Sequence, residues 1–178
     1  KPKVIVNVGG FSEENFLNDD DKSRKYLILE NSLSRLNLDG IDFLPQTMPP
    51  FPWHFGGQRF HNIFLDHNEI KSFCIKNNLK ICLDLSHSKL YCNYKSIPFD
   101  EFLTTIAEYV NHIHIVDAKG IDDEGLQIGD GEIDFYEVGE IIKKFMPNIS
   151  FIPEIWQGHK NNYAGFWTAL NKLEDFLN

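Results

Sequence analysis

The sequence predicts an α/β fold built on a parallel β-sheet, and three observations lead to this prediction. Five short apolar runs rich in Ile and Val recur along the 178 residues, and each has the length of a strand. A longer amphipathic segment follows each run, so that strands and helices alternate. The composition, with 42% hydrophobic and 13% aromatic residues, is that of a globular protein. Right-handed crossovers join units of this kind and make consecutive strands parallel.

The predicted strands are apolar throughout, which is typical of strands covered on both faces. In chain order they are residues 3–8, 40–44, 79–85, 112–116 and 149–155. The predicted helices follow them at about residues 22–36, 66–78, 98–110, 134–146 and 162–177. Pro98 suits the first turn of the third helix. The pattern fits an open doubly wound sheet, which five strands complete, and it fits equally well part of a (β/α)₈ barrel, which needs eight.

Charge and cysteine content limit the partners and the compartment. The net charge of −9 disfavours nucleic acid or a membrane as partner, because no basic face would offset repulsion from phosphate groups. The three cysteines form no C-x-x-C pair, which favours reduced thiols in a cytoplasmic protein. We find neither a signal peptide nor a run of about 18 apolar residues, so we expect neither export nor a membrane span. Because the chain begins at Lys1 rather than Met, we expect it to be part of a longer polypeptide.

Polar side chains collect at the carboxyl ends of the predicted strands, where either architecture places its functional site. Carboxylates and imidazoles gathered at one edge of a sheet would suit a divalent ion such as Mn²⁺, Zn²⁺, Co²⁺ or Mg²⁺. In strand order the residues are Asn7; Gln46; Asp84 and His87; His112, His114 and Asp117; and Glu154, with Trp156 and His159 just after it.

Taken singly, each of these residues has a structural explanation. An Asp after a strand is usually a helix cap or a turn residue, and Ser86 and Ser88 strengthen that interpretation for Asp84. A single His in a core strand is more often a hydrogen-bonded part of the core. His112 and His114 alternate with isoleucines and share one face of their strand, and His114 lies nearer the carboxyl end.

Taken jointly, four of the residues favour a functional interpretation. Asp84, His87, His114 and Glu154 come at the ends of three successive predicted strands. Burying a charge without a partner costs several kcal/mol, so the convergence of these groups is hard to explain without a cation or a charged ligand. Clusters of titratable groups also mark functional sites. We therefore predict a divalent metal site at this edge of the sheet.

The longest irregular stretch is "MPPFPWHFGGQRF", residues 48–60. Its side chains Phe51, Trp53, Phe55 and Arg59 could wall a pocket above the strand ends. Aromatic faces commonly pack against the C–H groups of sugars, and an Arg holds phosphate or carboxylate in fork geometry. Alternatively, the stretch is a structural Pro-rich loop whose aromatic side chains pack against the rest of the fold.

Four segments together resemble a known family. Their order and spacing resemble the second half of the xylose-isomerase-like barrel superfamily, whose pattern is D-x-x-H, H-x-x-D, a G-x-G-x-[IV]-[DN] loop and a final-strand Glu. That superfamily includes sugar and sugar-phosphate isomerases and epimerases and the zinc-dependent apurinic endonucleases. The resemblance implies a parallel (β/α) fold of the TIM-barrel type, incomplete, with about five of eight β/α units in a single domain over residues 1–178. The segments are "ICLDLSHS" (81–88), "HIHIVDAKG" (112–120), "LQIGDGEIDF" (126–135) and "FIPEIW" (151–156).

The resemblance also implies roles for the residues at the matching positions. Asp84, His114 and Glu154 would bind the divalent metal ion, and Gln46 stands where the family has its first metal-binding Glu. Glu154 would be the catalytic base, and His87 would contact the substrate and take part in catalysis. In the isomerases of this family, metal-bound glutamates move a proton next to the sugar carbonyl, which the metal polarises.

Three positions depart from the family pattern. Gln46 could offer a carbonyl oxygen to a metal, but it cannot act as a base. Asn7 replaces the His that often ends the first matching strand, and Gly125 stands where the endonucleases have a His after the residue equivalent to Asp123. These departures disfavour a three-metal nuclease and leave one-base chemistry by Glu154 as the route for an isomerase.

Three functions remain open on the sequence. The leading hypothesis is a metal-dependent isomerase or epimerase of a sugar or sugar phosphate, active or partly degenerate. The alternative is a non-catalytic carbohydrate-binding or regulatory module of a larger biosynthetic enzyme, and the third is a metal-dependent phosphoesterase or endonuclease. Because a partial barrel exposes two sheet edges, we expect self-association or contact with the rest of a longer chain. The candidate substrate contacts are His87, Trp53, Arg59, Asp117 and His159.

Overall fold

The computed structural model of the protein describes residues 1–54 and 57–177. The predicted pocket-wall residue Phe55 lies outside the described residues. Cys74, Cys82 and Cys92 are buried free thiols, as the sequence predicted. Across the described ranges, no helix has the length and apolar character that crossing a bilayer requires.

The described residues form an α/β fold with two kinds of strand. Five strands form parallel pairs, and six others, of two to four residues, form antiparallel pairs in the loops. The strands are β1 (Lys3–Val6), β2 (Phe11–Ser12), β3 (Asp42–Pro45), β4 (Trp53–His54), β5 (Gly57–Gln58), β6 (Phe60–His61), β7 (Ile81–Asp84), β8 (Val110–Ile115), β9 (Asp117–Lys119), β10 (Asp123–Leu126) and β11 (Ser150–Pro153). The helices are α1 (Asp19–Leu33), α2 (His67–Asn77), α3 (Leu85–Lys95), α4 (Phe99–Ile106), α5 (Phe135–Phe145) and α6 (Lys160–Leu177), and a 3₁₀ turn at Ala107–Tyr109 follows α4.

The five parallel strands lie side by side in the order in which they occur in the chain. β1 pairs with β3, and β7, β8 and β11 form a second parallel group with β8 in the middle. A parallel bridge between Gln46 and Cys82 joins the two groups, and the Thr47 N–H donates to the Cys82 carbonyl at 3.0 Å. A doubly wound sheet reverses its strand order at a switch point, whereas a barrel adds each strand beside the last. The pairing order therefore shows a partial barrel, which confirms the predicted fold class.

The layer curves back on itself at the amino ends of its strands. The Lys3 ammonium on β1 donates to the Asn111 carbonyl and to Ser150 Oγ, both at 2.5 Å, so β1 approaches β8 and β11. The described residues do not close the barrel, because β1 and β11 do not pair with each other. Val4 on β1 and Ile152 on β11 are exposed. Coverage of these two edges by another copy or by further β/α units stays a prediction.

The core lies between the sheet and the helices. Leu83 on β7 and Ile113 on β8 are fully buried in the main apolar cluster, which also contains Phe73 of α2 and Phe102 of α4. Burying side chains of this size contributes about 1.5–3 kcal/mol each. Because side chains alternate along a strand, the neighbours of these core residues point toward the barrel interior. This alternation turns Asp84 away from the helices.

All five predicted strands are present, but two helix predictions need correction. The segment after β7 forms helix α3, which the sequence pattern did not predict. Buried residues face several directions on α3, so it lacks the apolar stripe that identifies a surface helix. The helix predicted to extend to residue 110 ends at Ile106, and Val110 already begins β8.

Candidate metal centre and its pocket

Strand register brings three of the predicted ligands to the same end of the barrel. In the pairing of β7 with β8, Asp84 lies opposite His114, and in the pairing of β11 with β8, Ile152 lies opposite His114. Glu154 lies two residues beyond Ile152, and its N–H donates to the Ile115 carbonyl at 3.2 Å. Since residues two apart share a face of a strand, Glu154 continues the row toward the carboxyl end.

The three side chains meet closely. His114 Nδ1 lies 2.5 Å from Glu154 Oε2 and 3.5 Å from Asp84 Oδ2. One ligand atom from each residue lies within 4.8 Å of the others. Asp84 and His114 are buried, whereas about half of the Glu154 side chain is exposed. Two carboxylates and one imidazole at this spacing form a donor set that fits a divalent cation with an open coordination position.

Gln46, directly after β3, joins the same group. Its Nε2 donates to Asp84 Oδ2 at 3.1 Å and lies 3.3 Å from His114 Nδ1. Turning the amide over would present its oxygen to the same place, because the two ends of the amide are nearly equal in size. Gln46 can therefore serve as a neutral fourth ligand, as the sequence suggested, but it has no proton-accepting carboxylate.

Asp84 and His114 stabilise each other's charged forms. Burial would raise the pKa of the Asp84 carboxyl, but His87, His114 and the His87 N–H together hold it below its usual value. Burial would lower the pKa of His114, but hydrogen bonds with Asp84, Cys82 and Glu154 raise it to about 12. In the absence of metal, these contacts favour the protonated form of His114 and the ionised form of Asp84.

Asp84 and His87 are fixed by the start of α3 and by β3. Asp84 Oδ1 accepts the His87 N–H at 2.9 Å, so Asp84 caps α3 while its other oxygen faces His114. Thr47 Oγ1 accepts the Asp84 N–H at 2.9 Å, and the Thr47 carbonyl lies 2.8 Å from His87 Nδ1. Asp84 thus caps α3 with one carboxylate oxygen and leaves the other beside His114.

A pocket of about 460 Å³ opens beside the three candidate ligands. His87 lines it with Nε2 lying 3.4 Å from Glu124 Oε2. Burial would lower the pKa of His87, but Asp84 and Glu124 raise it to about 9. Trp53 and Trp156 are largely exposed and supply apolar surface to the same pocket. A small polar molecule with C–H faces could therefore reach the candidate centre.

Comparison with known families identifies the group to which the chain belongs. The sequence profile of the family described as xylose isomerase-like TIM barrel matches residues 4–173. The chain belongs to this family. The xylose isomerase-like chain is 32% identical over 146 residues to the uncharacterized protein MJ1614 of Methanocaldococcus jannaschii, covering 80% of this chain and 51% of that protein.

Solved structures with the same fold include sugar epimerases. A D-tagatose 3-epimerase-like protein superposes with a TM-score of 0.69 at 21% identity, covering 99% of this chain and 62% of that one. An L-ribulose 3-epimerase superposes with the same TM-score of 0.69 at 13% identity, covering 99% and 61%. The xylose isomerase-like chain thus spans about three fifths of these structures and about half of its archaeal relative. At these identities the structural similarity establishes the fold.

Not all predicted substrate contacts of the xylose isomerase-like chain lie at the pocket. His87 and Trp53 line it. Arg59 does not, and its guanidinium lies 3.7 Å from Glu13 and donates to the Gln58 carbonyl at 3.5 Å. His159 is exposed on the segment before α6 and does not line the pocket either. The structure therefore brings neither Arg59 nor His159 to the pocket, and their role as substrate contacts stays a prediction.

The carboxylate of Asp117 is occupied by hydrogen bonds to a loop. It is fully buried, and its oxygens accept N–H groups from Ala118, Gly129, Gly131 and Ile133 at 2.8–3.1 Å. A Cβ at Gly131 would lie 2.4 Å from Asp117 Oδ1, which explains why the loop carries glycine there. Asp117 holds the G-x-G loop in place and has no free surface for a substrate.

Sequence reasoning missed several residues of the site. Glu124 and Ser86 line the pocket, and Thr47 orients both Asp84 and His87. The acidic run before Gly125, placed in the loop after the fourth strand, was a usable signal for Glu124. No local signal identified Thr47, because its role depends on the pairing of β3 with β7.

Proposed function

We propose that this chain carries the catalytic centre of a metal-dependent sugar isomerase or epimerase. The observation that supports this most strongly is the convergence of Asp84, His114 and Glu154 within 4.8 Å beside an open pocket. The carboxyl ends of barrel strands are where enzymes of this architecture carry their active sites. Membership of the xylose isomerase-like family and the similarity to sugar epimerase structures support a sugar as substrate.

The divalent ion, Mn²⁺, Zn²⁺, Co²⁺ or Mg²⁺, would be held by Asp84, His114 and Glu154, with Gln46 as a neutral further ligand. When bound, the ion would polarise the sugar carbonyl and make the adjacent C–H more acidic. The two buried ligands, Asp84 and His114, are positioned by the sheet itself. The exposed Glu154 side chain is the ligand with room to take part in chemistry.

Glu154 is the base in this proposal. Its carboxylate takes the proton from the hydroxyl-bearing carbon next to the carbonyl. The electrons of that C–H bond form a carbon–carbon double bond, and the carbonyl π electrons move onto the carbonyl oxygen, which takes up a proton to give an enediol. The same carboxyl group then returns its proton to the former carbonyl carbon, while the neighbouring hydroxyl loses its proton and becomes the new carbonyl. Gln46 cannot accept a proton, so a single base serves both steps, and this favours isomerisation between adjacent carbons over epimerisation with two bases.

His87 and two tryptophans position the substrate. The Thr47 carbonyl occupies His87 Nδ1, so Nε2 is turned toward the pocket, where it can donate to a substrate oxygen. Trp53 and Trp156 can pack against the C–H face of the sugar and exclude water from it. These contacts would hold the reacting carbon near Glu154, and such positioning lowers the barrier to proton transfer.

A deuterium-exchange assay tests the proposal. Mn²⁺-loaded protein would be incubated in D₂O with a panel of aldoses and ketoses, and NMR would follow loss of the C–H signal beside the carbonyl. We expect Glu154→Gln to slow exchange by about 10²–10⁴-fold with unchanged circular dichroism. Glu140→Gln, a matched change on the exposed surface of α5, should have no effect. Undiminished exchange in the Glu154 variant would exclude its role as base.

The replacement of the family's first Glu by Gln46 favours a second candidate, a non-catalytic carbohydrate-binding module. In that case the same sugars would bind in calorimetric titrations, with or without Mn²⁺, but no exchange would occur in the wild-type protein. Exchange catalysed by the wild-type protein would exclude the binding module.

A further inference from the structure

Building on the function proposed above, we propose that the pocket selects sugars that carry no phosphate group. The sequence left sugar and sugar phosphate open. The choice between them depends on the charges that line the pocket beyond the metal ligands, and on where the candidate phosphate-binding arginine lies.

The pocket wall next to the candidate centre is acidic. Asp122, Asp123 and Glu124 all line it, at the start of β10, and no Lys or Arg does so within residues 1–54 and 57–177. The Gln58 amide donates to Asp122 Oδ2 at 3.3 Å, and His87 Nε2 lies 3.4 Å from Glu124 Oε2. These contacts bring at most one positive charge, so the wall retains a negative charge.

A bound divalent ion would not reverse that charge. Its two positive charges would be offset by Asp84 and Glu154, which leaves three carboxylates of the wall facing at most one imidazolium. Like charges brought together in a partly desolvated site repel strongly. A phosphate dianion in this pocket would face carboxylates rather than the forked cation that usually binds it.

The arginine that the sequence suggested for phosphate binding lies elsewhere. Arg59 is next to Glu13, with 3.7 Å between Nη2 and the carboxylate, and it is not part of the pocket wall. The wall instead offers groups that suit hydroxyls. Carboxylate oxygens accept hydrogen bonds from sugar O–H groups, and the indole faces of Trp53 and Trp156 are available to C–H groups.

Ser86 gives an independent indication of a polar ligand. It lines the pocket, is 1% exposed, and its Oγ has no hydrogen-bond partner within the described part of the chain. A buried hydroxyl is costly unless it is paired, so an unpaired one at a pocket wall favours a ligand that supplies the partner. A sugar hydroxyl, which both donates and accepts, meets that requirement.

Calorimetry with matched pairs of sugars tests the inference. Mn²⁺-loaded protein would be titrated with D-fructose, D-tagatose and the 6-phosphate of each. We expect each neutral sugar to bind at least about tenfold more tightly than its phosphate. Added salt should reduce the difference, because screening weakens the repulsion.

A charge-neutralising variant identifies the cause. In the combined variant Asp122→Asn, Asp123→Asn and Glu124→Gln, affinity for the phosphates should rise at least about tenfold, while the neutral sugars should change less. A control that removes the same total charge elsewhere should leave both affinities unchanged. It combines Asp20→Asn, Glu140→Gln and Asp175→Asn, all at exposed positions outside the pocket.

The outcomes separate this inference from the proposed function. Equal or tighter binding of the phosphates by the wild-type protein would overturn the selectivity while leaving a sugar site in place. Unchanged phosphate affinity in the combined pocket variant would also overturn it, because the acidic wall would then not be the cause. If none of these sugars or sugar phosphates binds, both the proposed function and the selectivity are excluded.

Discussion

Binding of Mn²⁺ to this protein should release one proton and should strengthen as the pH rises. In the metal-free centre His114 Nδ1 lies 2.5 Å from Glu154 Oε2, and the pKa of His114 is raised to about 12. The nitrogen can bind a metal only after it loses that proton. At any pH well below the raised pKa, each bound ion displaces one proton, so affinity should increase about tenfold per pH unit.

Isothermal titration calorimetry measures both quantities. Titrations with Mn²⁺ at about pH 6.5, 7.5 and 8.5 yield the slope, and pairs of buffers with different ionisation enthalpies count the released protons. Asp84→Asn should weaken binding by more than about 100-fold, because it alters a proposed ligand rather than a neighbour of one. Glu140→Gln, far from the centre, should bind like the wild type. Affinity independent of pH, or an unchanged proton count in a His114→Gln variant, would refute the reasoning.

Three further predictions concern stability and the ligand set. The raised pKa of His87 means that its contribution is complete below its ordinary pKa of 6.5 and is lost as the pH rises through about 9. Between about pH 6.5 and 9, the free energy of unfolding in urea of the metal-free wild type should therefore fall by up to about 3 kcal/mol more than that of His87→Gln. The same dependence of the unfolding free energy on pH in both proteins would contradict this. Asp117→Asn should destabilise the fold by about 3 kcal/mol, because buried N–H groups lose acceptors. The control Asp130→Asn in the same loop should cost under about 0.5 kcal/mol. An unchanged melting temperature for Asp117→Asn would show that other contacts hold the loop. Gln46→Glu places a second carboxylate close to Asp84, where the amide now lies 3.1 Å from the Asp84 carboxylate. It should therefore tighten Mn²⁺ binding about tenfold and lower the stability of the metal-free protein. Weaker Mn²⁺ binding by this variant would exclude position 46 as a ligand.

The class of fold followed from local patterns. Each of the five apolar runs forms a strand, because β-branched and other apolar side chains pack well on the pleated surface of a sheet that is at least half buried. Helix α3 escaped prediction for the opposite reason. Leu85, Leu90 and Tyr91 are buried on different sides of it, so the chain shows no polar face at helical spacing.

The candidate ligands could be predicted, but their surroundings could not. Asp84, His114 and Glu154 each lie at or next to the carboxyl end of a strand, and all parallel strands end at the same rim, so their proximity follows from topology alone. Glu124 reaches the pocket because β9 and β10 form an antiparallel ribbon that packs against α3. Arg59 misses the pocket because its loop directs it toward Glu13.

The sequence alone determined the side-chain chemistry and the hydrophobic periodicity, because periodicity depends only on residues a few positions apart and chemistry on the residue type itself. They established parallel β/α units and the residue types that could bind a cation. Strand order, which distinguishes a partial barrel from an open sheet, depends on hydrogen bonds between residues such as Gln46 and Cys82. The acidic wall, the inward-facing His87 and the buried position of Asp117 likewise arise from contacts between distant segments. Only the folded chain decides these contacts, because many pairings are compatible with the same local pattern and packing selects among them.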